Sequence, residues 1–276
     1  MQKVLFRFVK QAVSIARKLT DAALLQISHP AGNGVAGWKH AVLHFLRLHM
    51  DATLQEVLDW AEEMERVRAA LVLERGEFPG PSALCKSFDR APMRIWRELL
   101  RLSSELLDQS GHAAIDATYF DRRQASNHYL KRCDREVQTV QATFLVDTAQ
   151  GAVIDVHCSA KWPNGTRVGP QVALRNAGDL RSLAADKGYD DMSFREELRA
   201  EGVRPLIKHR VFAPYDHAHN ARIDDDLYNQ RSVCETVNSV IKRSYGSAVR
   251  ARAWYRQFRE IVLAATVYNV EQAVKQ

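Results

Sequence analysis

The sequence predicts an α/β fold, a mixed five-stranded sheet with flanking helices, preceded by an all-helical N-terminal region. Three observations carry this. Over residues 1–110 apolar side chains recur at helical spacing between Gly/Pro breaks. From about residue 111 the pattern turns to short apolar runs and period-two alternation. Strand-like runs then alternate with helical segments, as in strand-helix-strand units.

The N-terminal elements follow in order. Residues 1–28 carry Val4, Leu5, Phe8, Val9, Ala12, Val13 and Ile15 at helical spacing, and His29–Gly34 (HPAGNG) ends the run. Residues 37–50 form a second amphipathic segment. Its His40 and His44 have i, i+4 metal-ligand spacing, but no Glu follows His40, so a surface or packing role is expected. Thr53-Leu-Gln-Glu56 is a capping box that starts a helix running to about Leu73. Gly76–Pro81 breaks the chain, Ser82–Phe88 reads as a short helix, and Pro92–Leu107 as a longer one. This arrangement fits either a helix-turn-helix-like DNA reader or a plain helical bundle.

The second region opens with His112–Phe120, an apolar run whose Asp116 is expected at a strand end. Gln138–Asp147 alternates with period two, Ala149-Gln-Gly makes a turn with Asp147 in it, and Ala152–Cys158 returns antiparallel. Residues 166–177 are expected to be helical, Leu180–Ala185 a fourth strand, Ser193–Glu201 a helix capped by Asp190 and Asp191, and Val203–Ile207 a fifth strand. A polar loop, 208–226, leads to a helix opening at Tyr228. Three antiparallel strands followed by two parallel ones, with helices on the faces, is the RNase H-like arrangement. The expected domains are 1–110 and 111–276.

Composition bounds the function. With 276 residues, 46% hydrophobic and 26% charged, the chain has ordinary globular values. Its net charge of +6 favours an anionic partner. Residues 242–259 hold Lys242, Arg243, Arg250, Arg252, Arg256 and Arg259 and no acid: a solvated face or a phosphate-binding strip. Cys85, Cys133, Cys158 and Cys234 form no CxxC pair, which argues against a zinc ribbon and a disulfide framework. The N-terminus lacks a signal-peptide core and Ile261–Val270 is too short to span a membrane, so a cytoplasmic protein is expected.

Chemistry concentrates around Tyr228–Lys242. On one helix Tyr228, Arg231, Glu235 and Lys242 would share a stripe, with Val233, Val237, Val240 and Ile241 opposite and facing a core. In the expected topology Asp116 and Asp186 end neighbouring strands, and Glu235 can reach the same edge. Three converging carboxylates repel one another and need compensating cations. Hard oxygen donors suit Mg²⁺, or Mn²⁺ in its place. Two such ions can serve an in-line displacement at phosphorus.

Tyr228-x2-Arg231-x3-Glu235-x6-Lys242 resembles the Tyr-Arg-Glu-Lys signature of insertion-sequence transposases of the DDE type, the insertion-sequence four/five superfamily. Asp186-Lys-Gly-Tyr-Asp190 and Ile115-Asp116-Ala-Thr resemble the second-Asp and first-Asp motifs of that group. The likeness covers about residues 111–270. It implies that Asp116, Asp186 and Glu235 bind metal and that Arg231 and Lys242 contact DNA near the scissile phosphate, with Tyr228 beside them. Arg243, Arg250 and Arg252 of the basic strip would then hold the DNA, and 1–110 would bind the element's ends. Also implied are a homodimer or higher oligomer on double-stranded DNA, cutting at transposon ends and 3′-hydroxyl joining to target DNA. The alternatives are an RNase H-like nuclease without strand transfer and a non-catalytic DNA-binding descendant of a transposase.

Overall fold

Strand pairing in the second half of the chain fixes the geometry on which the site depends. The structure is a computed structural model that describes residues 2–19, 27, 34–122 and 139–276. It divides into two units, Met1–Leu106 with Val262–Gln276, and Leu107–Ile261. The sequence alone places the boundary at 110 and the whole tail in the second domain. From Val262 onward the tail falls in the first unit. There Asn269 Nδ2 donates to Ser103 Oγ at 3.0 Å and His49 Nδ1 lies 2.7 Å from Glu271.

In the first unit α1 (Gln2–Ala16) buries Phe8, Val9, Ala12, Ile15 and Ala16. It stops short of the expected residue 28, and most of 20–33 lies outside the described residues. α2 (Gly37–His49) buries both His40 and His44. His44 Nε2 lies 3.0 Å from Ser87 Oγ, with its ring edge-on to Phe88 and Trp96. Burial, helped by Arg90, brings the His40 pKa down to about 4. Both are therefore packing residues. The Thr53 capping box forms and starts α3 (Leu54–Glu63). The expected single helix breaks at Met64 and resumes as α4 (Glu65–Leu71), with Arg68 Nη1 donating to the Glu62 carbonyl at the break. α5 (Pro81–Arg90) begins on a proline at its first turn. α6 (Met93–Ser104) buries Ile95, Trp96, Leu99 and Leu100.

In the second unit β1 (His112–Asp121), β2 (Thr139–Asp147), β3 (Val153–Ser159), β4 (Ser182–Ala185) and β5 (Arg204–Ile207) form one mixed sheet in the order β3-β2-β1-β4-β5. β1-β2 and β2-β3 are antiparallel, while β1-β4 and β4-β5 are parallel. α7 (Gly165–Leu174) and α8 (Met192–Ala200) supply Val168, Val172, Ala173, Phe194 and Leu198 to a core shared with Ala113, Ile115, Leu145, Leu183 and Ala185. Alternation then turns Ala114 and Asp116 to the other face. There α11 (Ser232–Tyr245) meets β1 and β2.

Several expectations shift. Asp116 is mid-strand rather than at a strand end, because β1 runs on to pair Asp121 with Thr139. The polar loop 208–226 contains α9 (Pro214–Asn220) and the start of α10 (Asp225–Asn229). Asp216 accepts from the Phe212 and Ala213 amides, and Asp224 caps α10 through the Leu227 amide. Asp191 caps α8, but Asp190 instead pairs with Arg195 Nη1 at 2.6 Å. Asp147 accepts from Ala149 N in the turn, and also from Ser110 N, Ser110 Oγ and Gly111 N at the entry to β1. α12 (Trp254–Lys275) closes the chain. Cys85, Cys158 and Cys234 form no disulfide, and Cys133 lies outside the described residues. Among the described residues no helix is long and apolar enough to cross a membrane.

Two glycines in α7 let Tyr189 seat beside Asp186. A Cβ on Gly169 would stand 2.9 Å from Tyr189 Cδ1 and 3.2 Å from Phe194 Cε1, and one on Gly165 3.0 Å from Tyr189 Cε1. Gly178 has open space around it. Gly169→Ala is therefore expected to cost about 1–3 kcal/mol by overpacking, and Gly178→Ala much less. Denaturant unfolding of the two variants checks this.

Candidate active site

Asp116 and Asp186 are brought together by the parallel ladder. Its last pair is Ile115↔Ala185, so the next residue on each chain is an aspartate. Asp186 leaves β4 as the cap of a 3-10 turn, Lys187–Tyr189, and its Oδ1 accepts from Gly188 N at 2.8 Å. A Cβ on Gly188 would lie 2.8 Å from that same oxygen, so a larger residue there would shift the Asp186 carboxylate. Glu235 sits in the first turn of α11, with its side chain 58% exposed. Arg231 Nη1 lies 2.8 Å from Glu235 Oε1.

Asp116 is half-buried and reports on the other two. Its carboxyl is pushed above the ordinary range, first by burial and then by the charges of Asp186 and Glu235, with the Ala117 amide and Arg231 opposing. Asp186 and Glu235 thus both lie within electrostatic reach of Asp116. Among the described residues, however, no three His, Cys, Asp or Glu side chains form a ready ligand set. Each carboxylate has a donor of its own: Asn238 Nδ2 for Asp116 at 3.3 Å, Gly188 N for Asp186, and Arg231 for Glu235.

The donor set suits a hard divalent cation. Carboxylates are joined by Asn238 Oδ1, a buried amide oxygen without a hydrogen-bond partner among the described residues. Cys234 lies close by, but burial and the Asp116 charge drive its thiol pKa well up, and its Sγ points to the Phe144 carbonyl at 3.8 Å. Oxygen ligands, not thiolate, are on offer.

The Tyr-Arg-Glu-Lys residues do not share one helix. α10 ends at Asn229 and α11 begins at Ser232, with a turn at Gln230–Arg231. Asp224, Asp225 and Asp226 favour a separate short helix before it, the first of them as its cap. The buried stripe of α11 is also rotated from the expected valines, to Cys234, Val237, Asn238 and Ile241. Tyr228 is buried, with Lys208 Nζ 4.4 Å and the Arg231 guanidinium 5.6 Å from its ring. Lys242 is half-buried with Nζ 5.4 Å from the Phe120 ring. Burial lowers its pKa against the pull of Asp121 and Asp116.

Beyond α11 the chain returns to β1. Gly246 (φ 100°) makes the bend, Asp121 N donates to Ser247 O, and Val249 N donates to Asp121 O. Arg250 and Arg252 lie exposed on this stretch, as does Arg243 in the last turn of α11, and Arg250 N donates to Glu260 Oε2 at 2.8 Å. Asn238, Phe120 and Asp121 join the neighbourhood without having been singled out by the motif. Asn238 was accessible as the residue one helical turn after Glu235. The other two depend on the 247–249 return, which nothing local in the sequence signals.

Residues 108–270 match a family model described as a transposase DDE domain. No curated protein matches the chain. Among solved structures, a cryo-EM structure of a piggyBac transposase synaptic complex with hairpin DNA is similar, with a TM-score of 0.49 and 11% identity, over 97% of this chain and 74% of that one.

A pH test follows from Asp116. Its raised pKa means that the folded state favours the neutral acid. Stability from this residue is full below the unfolded carboxyl range, near pH 4, and is lost as pH rises through the higher folded value. Asp116→Asn is therefore expected to raise the melting temperature at pH 7 in EDTA, with the gain vanishing toward pH 3.5. Paired melts across that range give the answer.

Proposed function

This chain belongs to the transposase DDE-domain family, and on that premise we propose that it cuts DNA at the ends of an insertion sequence and joins the freed 3′ hydroxyl to target DNA. One observation carries the reading: the parallel ladder sets Asp116 and Asp186 side by side one residue past Ile115 and Ala185, and α11, which carries Glu235, meets β1 at Asp116 through Asn238. The strand order β3-β2-β1-β4-β5 supports an RNase H-like domain. The unbroken Tyr228-x2-Arg231-x3-Glu235-x6-Lys242 spacing supports the insertion-sequence four/five superfamily.

Asp116, Asp186 and Glu235 are the metal ligands in this proposal. Mg²⁺ held there, or Mn²⁺ in its place, as a pair of ions, would activate the attacking oxygen and stabilise the leaving 3′ oxygen. The chain's own residues do the rest. Arg231 neutralises Glu235, and a DNA phosphate competes for the same guanidinium. Tyr228, packed between Lys208 and Arg231, holds that guanidinium at the edge. Lys242 adds a half-buried cation beside Asp116. Arg243, Arg250 and Arg252 grip the backbone farther along. The helices of 1–110 read the element's ends, and the working form is a homo-oligomer on paired ends in the cytoplasm.

Asp116→Asn, Asp186→Asn and Glu235→Gln are each expected to cut cleavage of a labelled element end by ~10³-fold or more, while retention of the duplex in gel shifts stays near wild type. Lost binding with intact cutting of bound DNA would contradict the assignment. Cutting without joined products would leave a nuclease. Binding without cutting in Mg²⁺ and in Mn²⁺ would leave a DNA-binding descendant.

The basic strip has its own test. Arg250→Ala and Arg252→Ala should each flatten the slope of log affinity against log salt by about 1. Binding titrations between low and moderate salt check it.

A further inference from the structure

The buried stripe of α11 contains one residue that packing does not explain. Cys234, Val237 and Ile241 are apolar or sulfur-bearing and buried, yet Asn238 sits among them at 5% exposure. Its Nδ2 donates to Asp116 Oδ2 over a long 3.3 Å, and its Oδ1 is buried with no partner among the described residues. The reversed amide would set an oxygen against a carboxylate, so this orientation is the favourable one. A buried polar atom without a partner costs stability, and an amide placed only for packing or for holding the helix would use both ends. Leucine has nearly the same volume and would leave nothing unsatisfied.

Position supplies the other half. Asn238 is one turn after Glu235, so the two lie on one side of α11. Glu235 offers a charged oxygen, Asp116 a second, and Asn238 Oδ1 is a neutral oxygen held beside Asp116.

We propose that Asn238 belongs to the ion site, its Nδ2 holding the Asp116 carboxylate in place and its Oδ1 serving as one of the oxygens around the divalent ion. The inference rests on the metal reading of Asp116, Asp186 and Glu235 and deepens it. The amide gives what a fourth carboxylate would not: an oxygen ligand without added repulsion, and a donor that fixes the first carboxylate. Its cost is of the kind found at functional sites.

The test is Mn²⁺ affinity of the full chain, measured by electron paramagnetic resonance, beside melting temperature in EDTA. Asn238→Leu should weaken Mn²⁺ about 10–100-fold, as loss of a supporting ligand partner does, with the EDTA melting temperature unchanged or raised. Asn238→Ala, which adds no branch, is the second variant and should weaken Mn²⁺ likewise even if the leucine form folds poorly. Asn238→Asp, which keeps an oxygen, should retain more affinity than either. Wild-type affinity in both Leu and Ala variants would overturn the proposal, as would a lowered EDTA melting temperature with unchanged affinity. Asp116→Asn, measured alongside, separates the parent reading. If it weakens Mn²⁺ and the Asn238 variants do not, only the Asn238 assignment fails. If it too leaves Mn²⁺ binding as in wild type, the metal reading fails and Asn238 with it.

Discussion

Parallel pairing of β1 with β4 sets two aspartates one residue past the last rung of a ladder, and most of the site follows from that placement. The pairing itself is secured by small and apolar residues, Ala113, Ile115, Leu183 and Ala185, packed under α7 and α8. Glycines at 165, 169 and 188 keep Tyr189 and the turn after Asp186 close in. Carboxylates gathered this way are unfavourable neighbours. The cost appears at Asp116, the most buried of the three, as a carboxyl pushed above its ordinary range. A packed core thus holds together an edge whose charges would otherwise drift apart.

Each carboxylate is met by a donor of a different kind. An arginine meets Glu235, a backbone amide Asp186, and a side-chain amide Asp116. These differ in how readily they let go. The Arg231–Glu235 pair is surface-exposed and weak, within about 1 kcal/mol, so a phosphate can displace it. Lys242 is held more firmly, half-buried over Phe120 where the chain returns to β1. The site is therefore anchored on the sheet side and adjustable on the helix side.

Much of this was legible in the sequence. Period-two alternation located β2, a capping box located α3, and the Asp-Lys-Gly-Tyr-Asp run located the end of β4, because each is a local rule with a local cause. What was not legible is mostly tertiary. The length of β1 beyond Asp116 comes from pairing with β2 and with 247–249. The break between α10 and α11 shows that even spacing of Tyr228, Arg231, Glu235 and Lys242 does not require one continuous helix. The helices inside 208–226 were signalled by Pro214, Asp216 and Asp224, but a polar composition hid them. The Tyr-Arg-Glu-Lys motif is carried by other residues and gives no weight to Asn238, a neutral amide between Glu235 and Lys242.

The central claim is that three carboxylates from distant parts of the chain hold one divalent-ion site. Replacing Mg²⁺ with Fe²⁺ in the presence of ascorbate and peroxide cuts a polypeptide wherever the iron sits. Mapping the fragments of the DNA-bound chain is the most direct test. Cuts clustered near residues 116, 186 and 235, suppressed by excess Mg²⁺, are expected. Cuts confined to other segments, or none that Mg²⁺ suppresses, would contradict it.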